Sequence, residues 1–209
     1  MSFHYKKISE GMIAANEYVL WDDCGNAVFI DAGDPLPQVK KIVEDNNLTV
    51  KYIILTQVHF DHICGLPFQR KEYPDAKVLC HSGDKDFFGN PYANASTLFG
   101  SEKKFEGADA TLEDGDIITL SPGHQLEIIS TPGHTPGSIC IKAGGVLFTG
   151  DTLFCGNFGR TDLGYGDSAQ LSKSIDLLYS MDDDLEVQPG HGTKTTIKRE
   201  RLTNPFLDW

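Results

Sequence analysis

The sequence predicts a mixed α/β protein in which two β-sheets pack face to face and helices cover their outer faces. Two observations carry this. Short, β-rich apolar runs alternate with helical patterns early in the chain, and several such runs then follow at close spacing. A doubly wound sheet would keep the alternation throughout. At 209 residues and 40% hydrophobic, the chain is long enough to bury a sizeable core. No linker, low-complexity run or fixed-period repeat divides it, so residues 1–209 read as one domain.

Residues 26–30 form the first clear strand, stopped by Asp31-Ala32-Gly33. Pro37 suits the first turn of a helix whose apolar face is Val39, Ile42 and Val43. Further strands are expected over 51–56 and 77–80, then over 125–130, 138–142 and 146–149, with a weaker one over 185–188. Ser168 is placed to cap a helix with the stripe Leu171, Ile175 and Leu178. From 83 to 109 the chain is rich in Gly, Asn and Ser yet carries Phe87, Phe88, Tyr92 and Phe99. Such a loop either walls a substrate site or is anchored to the core by its aromatics.

A formal net charge of −12 opposes a nucleic-acid partner, because nothing would offset repulsion from the phosphates. The basic start is followed by a stretch that Glu10, Asn16 and Glu17 interrupt, which makes neither an export signal nor a membrane span. The cytoplasm is the expected location, with no membrane partner. Cys24, Cys64, Cys80, Cys140 and Cys155 are odd in number and form no C-x-x-C pair, so neither a disulfide framework nor a zinc ribbon is indicated.

Four strands end in the same way. Thr56-Gln57-Val58-His59-Phe60-Asp61-His62 follows one strand and sets three ligand-type side chains within four residues. The others run into Thr131-Pro132-Gly133-His134, Gly150-Asp151 and Pro189-Gly190-His191-Gly192. Each has a His or Asp just past a strand, beside Gly or Pro that lets the backbone turn sharply. One histidine after a strand is ordinarily a surface or satisfied group. Six donors at four strand ends, which converge on one side of a sheet, instead point to a metal site of His59, Asp61, His62, His134, Asp151 and His191. Imidazole and carboxylate without thiolate suit zinc, iron or manganese. His4, His81 and His124 lack this setting and read as structural.

The segments H-x-D-H, T-P-G-H-T, F-T-G-D-T-L-F and P-G-H-G, in this order, resemble the metallo-β-lactamase superfamily. Gly150-Asp151-Thr152-Leu153-Phe154 with Gly159-Arg160-Thr161-Asp162, and Asn204-Pro205-Phe206-Leu207, are similar to its small single-domain glyoxalase II-like bacterial hydrolases. The resemblance implies a four-layer αββα sandwich and two metal positions, holding one or two zinc ions per chain. The first position would use His59, His134 and the residue two before His59. The second would use Asp61, His62 and His191, with Asp151 bridging. Where the family normally has a histidine, this chain has Gln57, a neutral and weaker donor. The second position is therefore expected to bind more tightly, unless Gln57 ligates through its oxygen and both positions fill.

The implied activity is hydrolysis of a small-molecule thioester such as a hydroxyacylglutathione, by attack of metal-bound hydroxide on the acyl carbonyl. Asp61 would both ligate and orient the water. Arg160, Asn157 or backbone N–H groups would stabilise the oxyanion. Asp31 and Thr56 are expected to hydrogen-bond ligand histidines. The chain ends 18 residues after His191, without the C-terminal helical domain of classical glyoxalase II, so glutathione contacts made there do not carry over. Lys194, Lys198, Arg199 and Arg201 form a basic patch, suited to a substrate carboxylate or to a solvated helix face. The alternatives are persulfide dioxygenation at a single iron held by His59, His134 and Asp151, lactone hydrolysis, or a catalytically silent metal-binding protein.

Overall fold

The computed structural model describes residues 2–9, 15–33 and 37–205, which leaves Glu10, Phe206 and Leu207 of the segments above outside it. One six-stranded sheet has the spatial order β1 (Phe3–Ile8), β2 (Glu17–Asp22), β3 (Asn26–Ile30), β4 (Thr49–Ile54), β5 (Lys77–His81), β6 (Ala110–Leu112). A second uses β7 (Ile117–Ser121), β8 (His124–Ser130), β9 (Ile139–Ala143) and β10 (Val146–Gly150), and continues after the small ribbon of β11 (Leu153–Phe154) and β12 (Asn157–Phe158) with β13 (Glu186–Pro189) and β14 (Thr195–Thr196). Its order is β14-β13-β10-β9-β8-β7.

Alternation along the strands makes the layers. In β3, Val28 and Ile30 enter the core between the sheets, where they join Ile54, Leu126, Ile128, Ile139 and Phe148. Phe29, with Val19, Ile53 and Val78, faces the other way, beneath Val39 and Val43 of α1 (Pro37–Asp45) and Leu66 of α3 (Leu66–Glu72). In the second sheet Ile129, Cys140 and Leu147 turn outward, under Leu171, Ile175 and Leu178 of α4 (Ser168–Tyr179) and Ile197 of α5 (Ile197–Thr203). Each sheet is thus covered on both faces, an αββα sandwich. Its inner strands are nearly continuous apolar runs, and each fully buried Leu, Ile or Phe stabilises by about 1.5–3 kcal/mol. No helix among the described residues is long and apolar enough to cross a membrane.

Two local expectations change. The cap of α4 is Asp167, which accepts from the Gln170 N–H at 3.0 Å, and Ser168 is the first helical residue. Both residue types cap well, but only Asp167 has the extended backbone that the position requires. The basic patch is largely neutralised: Lys194 pairs with Glu186 at 2.6 Å and Arg201 with Asp183 at 2.5 Å.

Strand direction sets the site. β9 lies antiparallel between β8 and β10, and β10 pairs parallel with β13, so β8, β10 and β13 all end at one edge. β3 and β4 are likewise parallel and end together, Ile30 opposite Ile54. The two edges are stitched at this level. Ile139 N–H donates to the Thr56 carbonyl at 2.9 Å, and Asn16 N–H to the Gly190 carbonyl at 2.6 Å.

Candidate metal centre and its cleft

Beyond β4 the chain turns through Gln57 and His59 into the short helix α2 (Phe60–Ile63), which carries Asp61 and His62. His134, Asp151 and His191 leave the ends of β8, β10 and β13 to meet them. His191 Nε2 lies 3.2 Å from Asp61 Oδ2 and 3.5 Å from Asp151 Oδ2. His62 Nε2 lies 3.3 Å from Asp151 Oδ1 and 3.8 Å from Asp61 Oδ2. Donor atoms of Asp61, His62, Asp151 and His191 all fall within 4.8 Å of one another. Next to them, His59 Nδ1 is 2.9 Å from His134 Nε2, which is 3.5 Å from Asp151 Oδ2. All six residues converge, with Asp151 between the two groups.

Surrounding residues fix these orientations. Asp31 holds a left-handed φ of 65°, a conformation that costs a non-glycine residue roughly 1–2 kcal/mol. Its carboxylate accepts from His62 Nδ1 at 2.9 Å, the Thr56 N–H at 2.7 Å and the Thr56 hydroxyl at 2.8 Å. Thr56 therefore braces Asp31 rather than a histidine, contrary to expectation. The Arg160 carbonyl accepts from His134 Nδ1 at 2.7 Å, which aims the Nε2 lone pair inward. Gly190 is required by close approach: a Cβ there would collide with Asp151 Oδ1 and His62 Cε1. Asp84, which no sequence motif marks, accepts from the Thr135 hydroxyl at 2.8 Å and the N–H groups of Gly137 and Val58 at 2.7 and 3.1 Å, bracing the loops of His134 and His59.

The donor set fits a divalent cation. His62 Nε2 and Asp151 Oδ1 are buried and face each other at 3.3 Å, yet neither makes a well-formed hydrogen bond among the described residues. Charge is also concentrated here. Burial alone would lower the pKa of His62, but the Asp151, Asp31 and Asp61 carboxylates overcome it and hold the imidazole well above its usual value. His191 is likewise raised to about 10, where burial is outweighed by its hydrogen bonds to Asp151 and Asp61. Burial would favour the neutral carboxyl of Asp151, but His62 and His191 keep it well below the carboxylate range. His59, pushed down to about 3 by burial and by His134, is a neutral donor. Such a cluster trades protons for a metal ion.

Gln57 is 1% exposed, and neither amide atom has a hydrogen-bond partner among the described residues. It does not line the cleft above the metal-binding residues. That cleft, about 360 Å³, is walled by Leu98, Phe99, Phe154, Phe158 and Leu163, with Asn157 and Arg160 at its rim. Of the aromatics in the 83–109 segment, Phe87 and Phe88 are buried anchors, while Phe99 lends a wall to the cleft. The Arg160 guanidinium donates through Nε and Nη2 to the two oxygens of Asp162, at 2.6 and 2.7 Å. A cavity of similar size over α1 and α3, lined by Val39, Phe68 and Tyr73, holds none of the proposed ligands.

Imidazoles and carboxylates gathered at the open edge of an αββα sandwich are the hallmark of metal-dependent hydrolases. This chain belongs to the metallo-beta-lactamase superfamily, whose family model matches residues 12–191. It is 34% identical to the probable metallo-hydrolase YqgX of Bacillus subtilis, over 98% of this chain and 97% of that protein. It is 35% identical to the hydroxyacylglutathione hydrolase GloC of Haemophilus influenzae, over 91% of each. The crystal structure of the BLEG-1 B3 metallo-beta-lactamase superposes with a TM-score of 0.92 at 34% identity, covering 99% of this chain and 100% of that one.

Proposed function

We propose that this protein hydrolyses small-molecule thioesters, hydroxyacylglutathiones among them, with zinc held by His59, Asp61, His62, His134, Asp151 and His191. The observation that carries the reading is the convergence of these six donors, five of which line the floor of an apolar-walled cleft with His62 buried beneath them. The 35% identity to a hydroxyacylglutathione hydrolase supports it. When bound, the cation supplies Lewis acidity and lowers the pKa of water toward neutrality.

The chain's own residues do the rest. Asp61, partly open to the cleft, accepts a hydrogen bond from the attacking water and orients it. Phe99, Phe154 and Phe158 exclude bulk water from the acyl group and so strengthen the polar contacts inside. Asn157 Oδ1 accepts from the Phe158 N–H at 2.8 Å, which leaves its amide hydrogens to donate to the developing oxyanion. Arg160, expected from the sequence to share that task, is instead held through Nε and Nη2 by Asp162. The water oxygen bonds to the acyl carbon as one of its protons passes to Asp61, the carbon–sulfur bond breaks, and the departing thiolate takes up that proton.

The test is turnover of S-lactoylglutathione and of a neutral thioester by zinc-loaded protein. Turnover should vanish with a chelator and return with zinc. A silent metal-binding protein would turn over neither. A second reading, persulfide dioxygenation, draws on the placement of His59, His134 and Asp151 side by side as a two-histidine, one-carboxylate set. Iron retained through purification, with oxygen uptake on glutathione persulfide, would favour it. A β-lactam and a lactone complete the panel, the former because of the likeness to BLEG-1.

A further inference from the structure

The cleft has two lobes that share His59, Ala95, Leu98 and Leu163. One contains the metal-binding residues. The other, about 130 Å³, is lined by Tyr92 and Tyr165, whose rings meet edge to face with centroids 6.4 Å apart. Tyr92, Leu98, Phe99 and Tyr165 are 65, 63, 46 and 45% exposed. Apolar side chains scattered over a surface need no explanation, but four around one mouth form a surface built to be covered.

The charge of the mouth narrows what covers it. Among the described residues, Arg160 is the only lysine or arginine lining either lobe. Its guanidinium is closed in a two-point fork with Asp162, which itself lines the second lobe. A guanidinium so paired presents no net charge to a third group, and Asp162 repels an approaching anion.

We propose that the cleft selects thioesters whose groups on both sides of the scissile bond are uncharged and largely apolar, and that Asp162 enforces this choice by holding the Arg160 guanidinium in a closed pair. The proposal rests on the thioester reading and sharpens it. S-lactoylglutathione, with two carboxylates on its thiol half, becomes a poor substrate beside a neutral thioester that carries the same acyl group. Asp162 is a positioning residue, acting through Arg160.

The experiment compares S-lactoylglutathione with S-lactoyl- and S-hexanoyl-N-acetylcysteamine on zinc-loaded protein. In parallel, calorimetry gives the Kd of two non-hydrolysable thioethers, S-hexylglutathione and S-hexyl-N-acetylcysteamine. The neutral compounds should show the higher kcat/KM and the lower Kd. Asp162→Asn should lower KM for S-lactoylglutathione about three- to fivefold with little change in kcat, the size expected for one exposed charge. Asp162→Glu should keep the wild-type preference, and high salt or an added Arg160→Gln should abolish the gain. A wild-type preference for the glutathione compounds would overturn the proposal, as would an Asp162→Asn variant that alters both classes in parallel. If no thioester turns over, the hydrolase reading fails, and the two thioether Kd values still decide the charge selectivity.

Discussion

Gln57 carries a buried amide with no hydrogen-bond partner among the described residues, an arrangement that costs roughly 1–3 kcal/mol. Replacing it separates two roles. Gln57→His puts an imidazole two residues before His59, and if it reaches the His59–His134 pair zinc per chain should rise toward two. Gln57→Leu removes the isolated amide, so the metal-free protein should hold or gain stability by about 1 kcal/mol while zinc content stays unchanged. Zinc lost from the leucine variant would identify the amide oxygen as a ligand. His191 sits with Asp61, His62 and Asp151 inside the tight four-residue cluster, whereas His59 stands beside it. His191→Ala should therefore cost more than the ~10–100-fold in metal affinity that losing an outer hydrogen-bond partner costs. His59→Ala should retain one bound metal. Equal zinc loss in both variants, measured by elemental analysis, would show that the positions depend on each other.

The turns after β8, β10 and β13 carry the precision of the centre, and Gly190 shows how little room they leave. Gly190→Ala would press a methyl group on Asp151 Oδ1 and His62 Cε1. The variant should fold with an unchanged far-ultraviolet spectrum yet bind zinc at least about tenfold more weakly, since ligand geometry tolerates only a few tenths of an ångström. Unaltered affinity would mean that the turn gives way freely. These turns were legible in the sequence because a His or Asp stands just past each strand beside Gly or Pro, although only β10 is apolar on both faces. Strands at the margins were not. In β1, Phe-His-Tyr-Lys-Lys-Ile mixes charge into a half-exposed edge, and β6, β11, β12 and β14 are only two or three residues long, held by their neighbours' register. Asp84 was equally hidden. Its three hydrogen bonds reach residues 26 to 53 positions away in the chain, a relation that no local pattern encodes.

The whole molecule answers to pH through the same charges, and its sign follows from them. His191 is raised from 6.5 to about 10, and His62 is raised as well. In metal-free protein both stabilise the fold fully below about pH 6.5, and that stabilisation is lost as pH climbs through the folded values. The melting temperature of chelator-treated protein should therefore fall from pH 6.5 toward pH 10. Zinc uptake, which must displace those protons, should release acid and tighten over the same window. Calorimetry with and without zinc checks both, and a metal-free melting temperature that stays flat would contradict the assignment. Asp61 and His191 touch across the stitched edge although 130 positions separate them. The first three of the proposed ligands leave one sheet's half of the chain and the last three leave the other's, so neither half owns the centre. A cation gripping both acts as a reversible clasp around a very long loop, much as a disulfide does in a secreted protein. Because folding has already brought the two halves together, the cation binds without the entropy of closing that loop, and its affinity adds to the resistance of the halves to coming apart. The loaded chain should unravel in denaturant only as fast as that clasp lets go.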